Sequence, residues 1–277
     1  MKTSLKLRQV LTDARRIVVK VGSRVLVQKT GRPEMRRIRG LVDQLAKLQM
    51  NGHEVVMVTS GAIGTGMQAL GIKTRPTHLP DLQMAAAVGQ ARLMHRYDEL
   101  FSAHRVTVGQ VLLTHDDFHH KIRLTNARRT MECLLRNRVV PIVNENDVVA
   151  DEEIKADLMK LGDNDLLAAL VTMLIRADLL ILLTTADGLR ETLDGRSRRV
   201  PYVESITRKT FQLVDSKHSP LSTGGMASKL RSAQTVARAG ACVVIADGRQ
   251  AGVLARIMHG DDVGTLIPAS VNEIRGY

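Results

Sequence analysis

Tryptophan is absent from the 277 residues, and only three phenylalanines and three tyrosines are present. Stacking single-stranded nucleic acid takes a platform of exposed aromatics, which this composition can hardly build. Cysteine is almost as scarce. Cys133 and Cys242 stand far apart, so neither a disulfide framework nor a metal knuckle is available, and reduced thiols in a cytoplasmic protein are expected. No apolar run approaches the ~20 residues that a membrane helix needs. The basic segment Met1 to Arg16 lacks the apolar stretch of a secretory signal. Two common nucleotide signatures are also missing: no GxxxxGK[ST] occurs, and no GxGxxG lies between a strand and a helix. Neither GxSxG nor HExxH appears, so acyl-enzyme and zinc-hydrolase chemistry has no support.

What is abundant is positive charge. Forty Lys and Arg against 28 Asp and Glu give a net +12, which attracts anions: nucleic acid, a membrane surface or small phosphates. The cations are spread along the chain rather than gathered in a tail, so small anionic ligands are the favoured reading and a merely solubilising surface is the other. Hydrophobic residues at 44% and charged residues at 25% are those of a globular protein with a sizeable core.

Short apolar strands alternate with helical patterns. Ile17 to Val21 and Leu179 to Leu183 read as buried strands, and Val55 to Thr59, Val106 to Leu113, Val139 to Val143 and Cys242 to Ala246 as further strands. Between them, Ile38, Leu41, Val42, Leu45 and Leu48 mark one face of a helix over Glu34 to Met50. Other helices are expected over Leu82 to Phe101, near Asn126 to Asn137, from Asp165 onward and from about Met226. This alternation predicts an α/β sandwich with a mostly parallel sheet, read as one domain over residues 1–277, whose ligands sit at the carboxyl ends of the strands.

Three glycine turns follow strands or open helices: Lys20-Val21-Gly22-Ser23, Thr59-Ser60-Gly61-Ala62 and Thr223-Gly224-Gly225-Met226-Ala227-Ser228-Lys229. Glycine lets backbone N–H groups close on a phosphate, although a strand-to-helix turn also needs glycine for steric reasons alone. The third turn is the most informative, with two glycines opening a helix and a lysine in its first turns. Two polar clusters, Asn144-Glu145-Asn146-Asp147 and Gly162-Asp163-Asn164-Asp165, stand at a strand end and a helix start. One helix cap uses one Asn or Asp, so the density points to a site for an amino group, a metal or the lysines themselves. The segment His115-Asp116-Asp117-Phe118-His119-His120 has metal-ligand residue types without ligand spacing and reads as a solvated loop. No residue is assigned as a metal ligand.

In order along the chain, Val18-Val19-Lys20-Val21-Gly22-Ser23, Val58-Thr59-Ser60-Gly61-Ala62-Ile63 and Ala86-Ala87-Val88-Gly89-Gln90 resemble the amino acid kinase family. The match continues through Gln110 to Thr114, Asn126-Ala127-Arg128, Pro141 to Asp147, Gly162 to Asp165 and Thr223 to Lys229, nearly the whole chain. Within the family, this set is similar to the members that act on glutamate rather than to aspartokinases or uridylate kinases. The resemblance implies an αβα sandwich with a mainly parallel sheet of about eight strands, the acceptor towards the N-terminal part and ATP towards the C-terminal part. It implies ATP-dependent phosphorylation of the L-glutamate side-chain carboxylate as the first step of proline biosynthesis, with Mg²⁺ accompanying ATP and proline as feedback inhibitor. Lys20, Lys229 and Asp165 are the implied catalytic residues, with Asp165 orienting the lysines, and Ser60, Asp147 and Asn164 the implied glutamate-binding ones. ATP is assigned to Lys20, Gly22, Thr184, Thr185 and the run Thr223, Gly224, Gly225, Met226, Ala227, Ser228 and Lys229. A homo-oligomer, dimer or tetramer, is expected, with no membrane and no specific nucleic-acid partner. Where many members carry a C-terminal RNA-modification-like domain, none is expected here.

Three departures from the family pattern bear on the site. Leu183-Thr184-Thr185 stands where Leu-Thr-Asp is usual, so one nucleotide-site carboxylate is missing. Arg129 follows Asn126-Ala127-Arg128 where many members have Asp. The stretch Ala150 to Leu161 is longer than usual and carries Asp151, Glu152, Glu153 and Asp157 against Lys155 and Lys160. The alternative readings are a kinase for another small carboxylate, phosphonate or carbamate, and a non-catalytic nucleotide-binding regulator.

Overall fold

A computed structural model describes residues 7–27, 34–149, 163–215 and 223–270. The chain enters through β1 (Arg16–Val21), a β-branched run whose residues are all buried after the first. There follow α1 (Ser23–Leu26), α2 (Met35–Met50), β2 (Glu54–Val58), α3 (Ala62–Ala69), α4 (Leu79–Ser102) and β3 (Val108–Leu113). The middle of the chain forms α5 (His115–His119), α6 (Lys121–Arg136), β4 (Val140–Glu145) and α7 (Asp163–Leu174). After β5 (Leu179–Thr184) come β6 (Arg190–Leu193), β7 (Arg196–Arg199), α8 (Arg208–Asp215) and α9 (Thr223–Arg238). The described chain ends with β8 (Cys242–Asp247), α10 (Val253–Met258) and β9 (Thr265–Ile267).

Seven strands form one sheet in the order β3-β4-β2-β1-β5-β8-β9, parallel except where β9 runs against β8. About eight are implied by the sequence; among the described residues β6 and β7 pair apart as an antiparallel hairpin. β1 lies at the centre, with Lys20 level with Val58 of β2 on one side and Leu182 of β5 on the other. Side chains alternate across a strand. Ile17, Val19 and Val21 therefore enter the core layer under α2, α4 and α10, with Leu45, Tyr97 and Ile257. Val18 enters the other, under α7 and α9, with Val171, Leu230 and Val236. Lys20 shares the face of Val18, and that parity carries its side chain towards α7 and α9. The result is a three-layer αβα sandwich.

The layer of α2, α4 and α10 holds an unusually close helix pair. A Cβ added to Gly66 of α3 would lie 1.7 Å from the carbonyl oxygen of Ala85, and one on Gly89 of α4 would lie 1.8 Å from that of Ala62. Only glycine fits at these two crossings. The turn from β2 into α3 needs glycine for another reason: Gly61 has φ 103°, in the left-handed region. α3 is invisible to a reading by periodicity because Gly64 and Gly66 interrupt its eight residues.

The segment His115 to His120 is not the loop expected of it. Thr114 caps α5, its backbone N–H and hydroxyl donating to Asp117 Oδ2 at 2.7 and 2.9 Å. A Thr-x-x-Asp capping box supplies the helix start that spacing alone did not suggest. At the far end of the fold, Arg8 is fully buried and donates to the carbonyls of Pro201 and Val263 at 2.8 Å, tying the start of the described chain to the β9 edge.

Gly66→Ala is expected to force α3 and α4 apart. Overpacking against a backbone carbonyl, which cannot move as a side-chain tip can, should cost about 2 kcal/mol or more in urea unfolding. An unchanged urea midpoint would mean that the helices separate freely.

Candidate active site

The carboxyl ends of β1, β2, β4 and β5 open into two cavities that meet. One, of about 560 Å³, is lined by Lys20, Gly22, Thr184, Thr185, Gly188, Gly225, Met226 and Lys229, with Asp165 at its base. The other, of about 1040 Å³, is lined by Ser60, Gly61, Thr65, Gln68, Asn144, Glu145 and Asp147, with Arg75, Arg92 and Arg96 on its wall. Ser23, Ser60 and Asn164 line both and mark the junction.

Asp165, 2% exposed, occupies the first turn of α7. Lys20 Nζ lies 2.7 Å from its Oδ1 and Lys229 Nζ 2.8 Å from its Oδ2, so each carboxylate oxygen carries one ammonium. Lys229 Nζ also donates to the carbonyl of Gly225, one turn back in α9, at 3.2 Å. Burial alone pushes the Asp165 carboxyl up, but the two ammoniums outweigh it and hold the group below its ordinary value. One carboxylate against two lysines leaves a surplus positive charge facing the smaller cavity.

One side chain from each polar cluster bonds across the fold. Asn164 donates through Nδ2 to the carbonyl of Thr59 at 2.8 Å and to Asn144 Oδ1 at 3.3 Å, and Asn144 Nδ2 donates to Gln90 Oε1 at 2.8 Å. Thr59 shares a 2.7 Å hydrogen bond with the buried Tyr97 hydroxyl, whose pKa burial pushes up to about 12 against that bond's opposing pull. Ser60 Oγ donates to the carbonyl of Val21 at 2.9 Å, joining the ends of β2 and β1. Gly22 sits where a Cβ would approach the Leu183 carbonyl to 3.2 Å.

Most residues singled out in the sequence thus come together. Ala227 and Ser228, expected at the nucleotide, do not line the smaller cavity, and Ser228 is only 1% exposed. The run is helical rather than an open loop, so Gly225, Met226 and Lys229 share the cavity face while Ala227 and Ser228 turn from it. The side chains of Asp163 and Thr223, and the whole Ala150 to Leu161 stretch, lie outside the described residues. Arg129 is exposed on α6 and lines neither cavity. At the missing carboxylate, Thr185 lines the cavity and its carbonyl accepts a 2.6 Å bond from Arg249. Arg249 is in turn held by Asp247, which stands level with Thr184 on the neighbouring strand. Ser23, Arg24 and Arg190 line the smaller cavity with no role read for them in the sequence. Among the described residues no group of three or more His, Cys, Asp or Glu is gathered to hold a metal, and no helix is long and apolar enough to cross a membrane.

A parallel αβα sandwich whose central strand delivers a lysine to a carboxylate shared with a second lysine defines a class. The chain belongs to the amino acid kinase family, whose profile matches residues 15–247. It is similar to the glutamate 5-kinase of Moorella thermoacetica, 45% identical over 267 residues that make 95% of this chain and 69% of that protein. The glutamate 5-kinase of Clostridium tetani is 40% identical, over 93% of this chain and 96% of its own length. Among solved structures, carbamate kinase from Giardia lamblia bound to AMP-PNP superposes with a TM-score of 0.62 over 94% of this chain and all of its own, at 17% identity, a likeness of fold.

The Asp165 geometry fixes a pH dependence. A carboxyl held below its unfolded value stabilises the fold above that value, and the contribution is lost as pH falls through the folded pKa. Asp165→Asn leaves two buried ammoniums without a counter-charge and should cost about 3–5 kcal/mol near neutral pH. In urea titrations the gap between wild type and variant should stay level from about pH 5 to 8 and shrink below about pH 4. A gap that widens in acid would contradict this sign.

Proposed function

We propose that this protein transfers the γ-phosphoryl group of ATP to the side-chain carboxylate of L-glutamate, giving ADP and L-glutamyl 5-phosphate, the step that opens proline biosynthesis. The observation that carries the reading is the Lys20–Asp165–Lys229 unit lining the smaller of two cavities that meet, in a chain 40–45% identical to glutamate 5-kinases. The smaller cavity takes the nucleotide, through Lys20, Gly22, Thr184, Thr185 and the α9 start around Gly225, Met226 and Lys229. The larger takes glutamate, through Ser60, Asp147 and Asn164.

The chemistry needs no general base. A glutamate side chain has a reference pKa near ~4.3 and arrives as an anion at neutral pH. One of its oxygens bonds to the γ-phosphorus while the bond from that phosphorus to the bridging oxygen breaks, the electron pair leaving with ADP. The obstacle is repulsion between a carboxylate and a polyphosphate. Lys20 and Lys229 lower it, and Asp165 keeps both ammoniums aimed without cancelling them. Both Asp165 oxygens are already taken, so no side chain of the smaller cavity is assigned to a metal; Mg²⁺ fits here as an ion carried on the ATP phosphates, whose charge it partly neutralises. Proline is the proposed inhibitor, because its α-carboxylate and ring nitrogen match groups that Asp147 and Asn164 would hold in glutamate. A cytoplasmic homo-oligomer of two or four copies completes the reading.

With Mg·ATP, glutamate and hydroxylamine, the acyl phosphate should be trapped as the hydroxamate. A folded protein that binds nucleotide but releases no glutamate-dependent ADP would instead be a regulator, and ADP release with another carboxylate, phosphonate or carbamate would reassign the acceptor.

Lys20→Ala and Lys229→Ala should each lower turnover at least ~100-fold, because each removes charge stabilisation from the transition state. Near-normal turnover in either variant would remove that lysine from the mechanism.

A further inference from the structure

Among the described residues, no aromatic side chain lines the smaller cavity. A nucleotide base presents a flat π-face, which a protein holds by stacking it on a ring or on the plane of a guanidinium. The second device is present. Arg190 lines the smaller cavity only, whereas Ser23, Ser60 and Asn164 mark the end that meets the larger one. Lys20, Lys229 and that junction draw the phosphates, which leaves the base to the rest of the lining. That lining is Arg190 with the apolar Leu189, Leu213, Val214 and Met226. Leu213 and Val214 belong to α8, which packs against β6, the strand that begins with Arg190.

The guanidinium is held flat. Its Nε donates to Ser197 Oγ at 3.0 Å, its Nη1 to Asp187 Oδ1 and Oδ2 at 2.9 and 2.7 Å, and its Nη2 to the Ser197 carbonyl at 3.2 Å. Guanidinium N–H groups point in the plane of the group, so these bonds occupy its edge and leave its face for a ligand. Asp187 offsets its charge one to one, unlike Asp165 between two lysines, so Arg190 offers a plate rather than a surplus cation. The mount is firm as well. The N–H of Leu189 donates to Thr265 Oγ1 at 2.8 Å, and that buried hydroxyl donates to the Val200 carbonyl at 2.6 Å, closing the β6–β7 hairpin at its base. We infer that Arg190 is a nucleotide-binding residue: its guanidinium is the plate on which the base stacks, with Leu213 and Val214 completing the slot. The inference rests on the reading of the smaller cavity as the nucleotide site and adds to it a residue that the sequence left without a role.

The test measures, on the full chain by titration calorimetry with Mg²⁺, the Kd of ADP and of inorganic tripolyphosphate, a base-free probe of the phosphate end. Wild type that binds no ADP overturns the nucleotide-site reading and this inference together. Wild type that binds ADP but turns over no glutamate overturns only the acceptor, and the variants below still decide the role of Arg190. Arg190→Met, which keeps length and removes the plane, should weaken ADP about 10-fold, the scale of a desolvated cation–π contact. Tripolyphosphate should stay within about 2-fold of wild type, which also shows the phosphate end to be folded. Arg190→Tyr restores a flat face but cannot reproduce the bonds to Asp187 and Ser197, and it should bring ADP back to within about 3-fold. Arg190→Lys keeps the charge without the plane and should behave as Arg190→Met. An unchanged ADP Kd in Arg190→Met, an equal loss for ADP and tripolyphosphate, or rescue by Lys and not by Tyr would each overturn the inference. The last two would make Arg190 a charge contact or a strut of the hairpin.

Discussion

The carboxylate of Asp165, gripped by one ammonium on each oxygen, is the interaction on which the rest of the site depends. Lys20 stands in the central strand of the sheet and Lys229 on a helix packed over it, exposed by only 7% and 8%. Neither charge could remain there alone, because an ammonium taken out of water without a partner sheds its proton or opens the structure. A single carboxylate satisfies both while staying one charge short of neutralising them. The three residues come from β1, α7 and α9, so the ion triad also fixes how those elements meet. A neutral pair would be equally satisfied and would offer a polyphosphate nothing.

Sheet topology explains why the triad sits where two ligands can meet. β1 is flanked by β2 and β5 in parallel register, so three carboxyl ends finish side by side. The ends of β1 and β2 are tied by Ser60 Oγ on the Val21 carbonyl, and Asn164 bonds the last carbonyl after β2. The junction is thus built from backbone ends rather than from mobile side chains, which suits a transfer that tolerates little misplacement of the reacting oxygens. Glycine at 66 and 89 serves the same end from outside the site, by bringing α4 close enough for Gln90 and Tyr97 to reach the strand termini.

What was legible in the sequence had a local signature. Six strands show as β-branched or leucine runs, five of them buried over most of their length and β3 only at Leu113, and the lysine two residues before Gly22 is conspicuous because a charge interrupts such a run. The clusters around Asn144 and Asn164 were legible as too polar for caps, and their side chains do bond across the fold instead of to their own helix. What was hidden depends on long-range partners or on competing local signals. α3 was masked by its glycines, and α5 by histidines that drew attention from the Thr114–Asp117 cap. The β6–β7 hairpin is largely exposed and polar, so it carries no hydrophobic alternation to read.

The absent carboxylate at position 185 is best understood through charge. Family resemblance places an acid there, and in this chain the acid stands on the adjacent strand instead, as Asp247 level with Thr184. It does not line the smaller cavity, and Arg249 neutralises it with two bonds of 2.9 and 2.8 Å while bonding the Thr185 carbonyl. Among the described residues, the smaller cavity keeps Lys20, Arg24 and Lys229 on its wall against Asp165, with Arg190 paired to Asp187 at 2.7 Å. Among the described residues, the larger sets Arg75, Arg92 and Arg96, the last paired with Glu99 at 2.9 Å, against Glu145 and Asp147, close to balance. A reaction that drives a carboxylate onto a polyphosphate is opposed by their mutual repulsion, and a positive excess in the smaller cavity lowers that repulsion before either ligand is positioned. Part of the net +12 of the chain thus stands at the smaller cavity, as a field favouring the meeting of two anions.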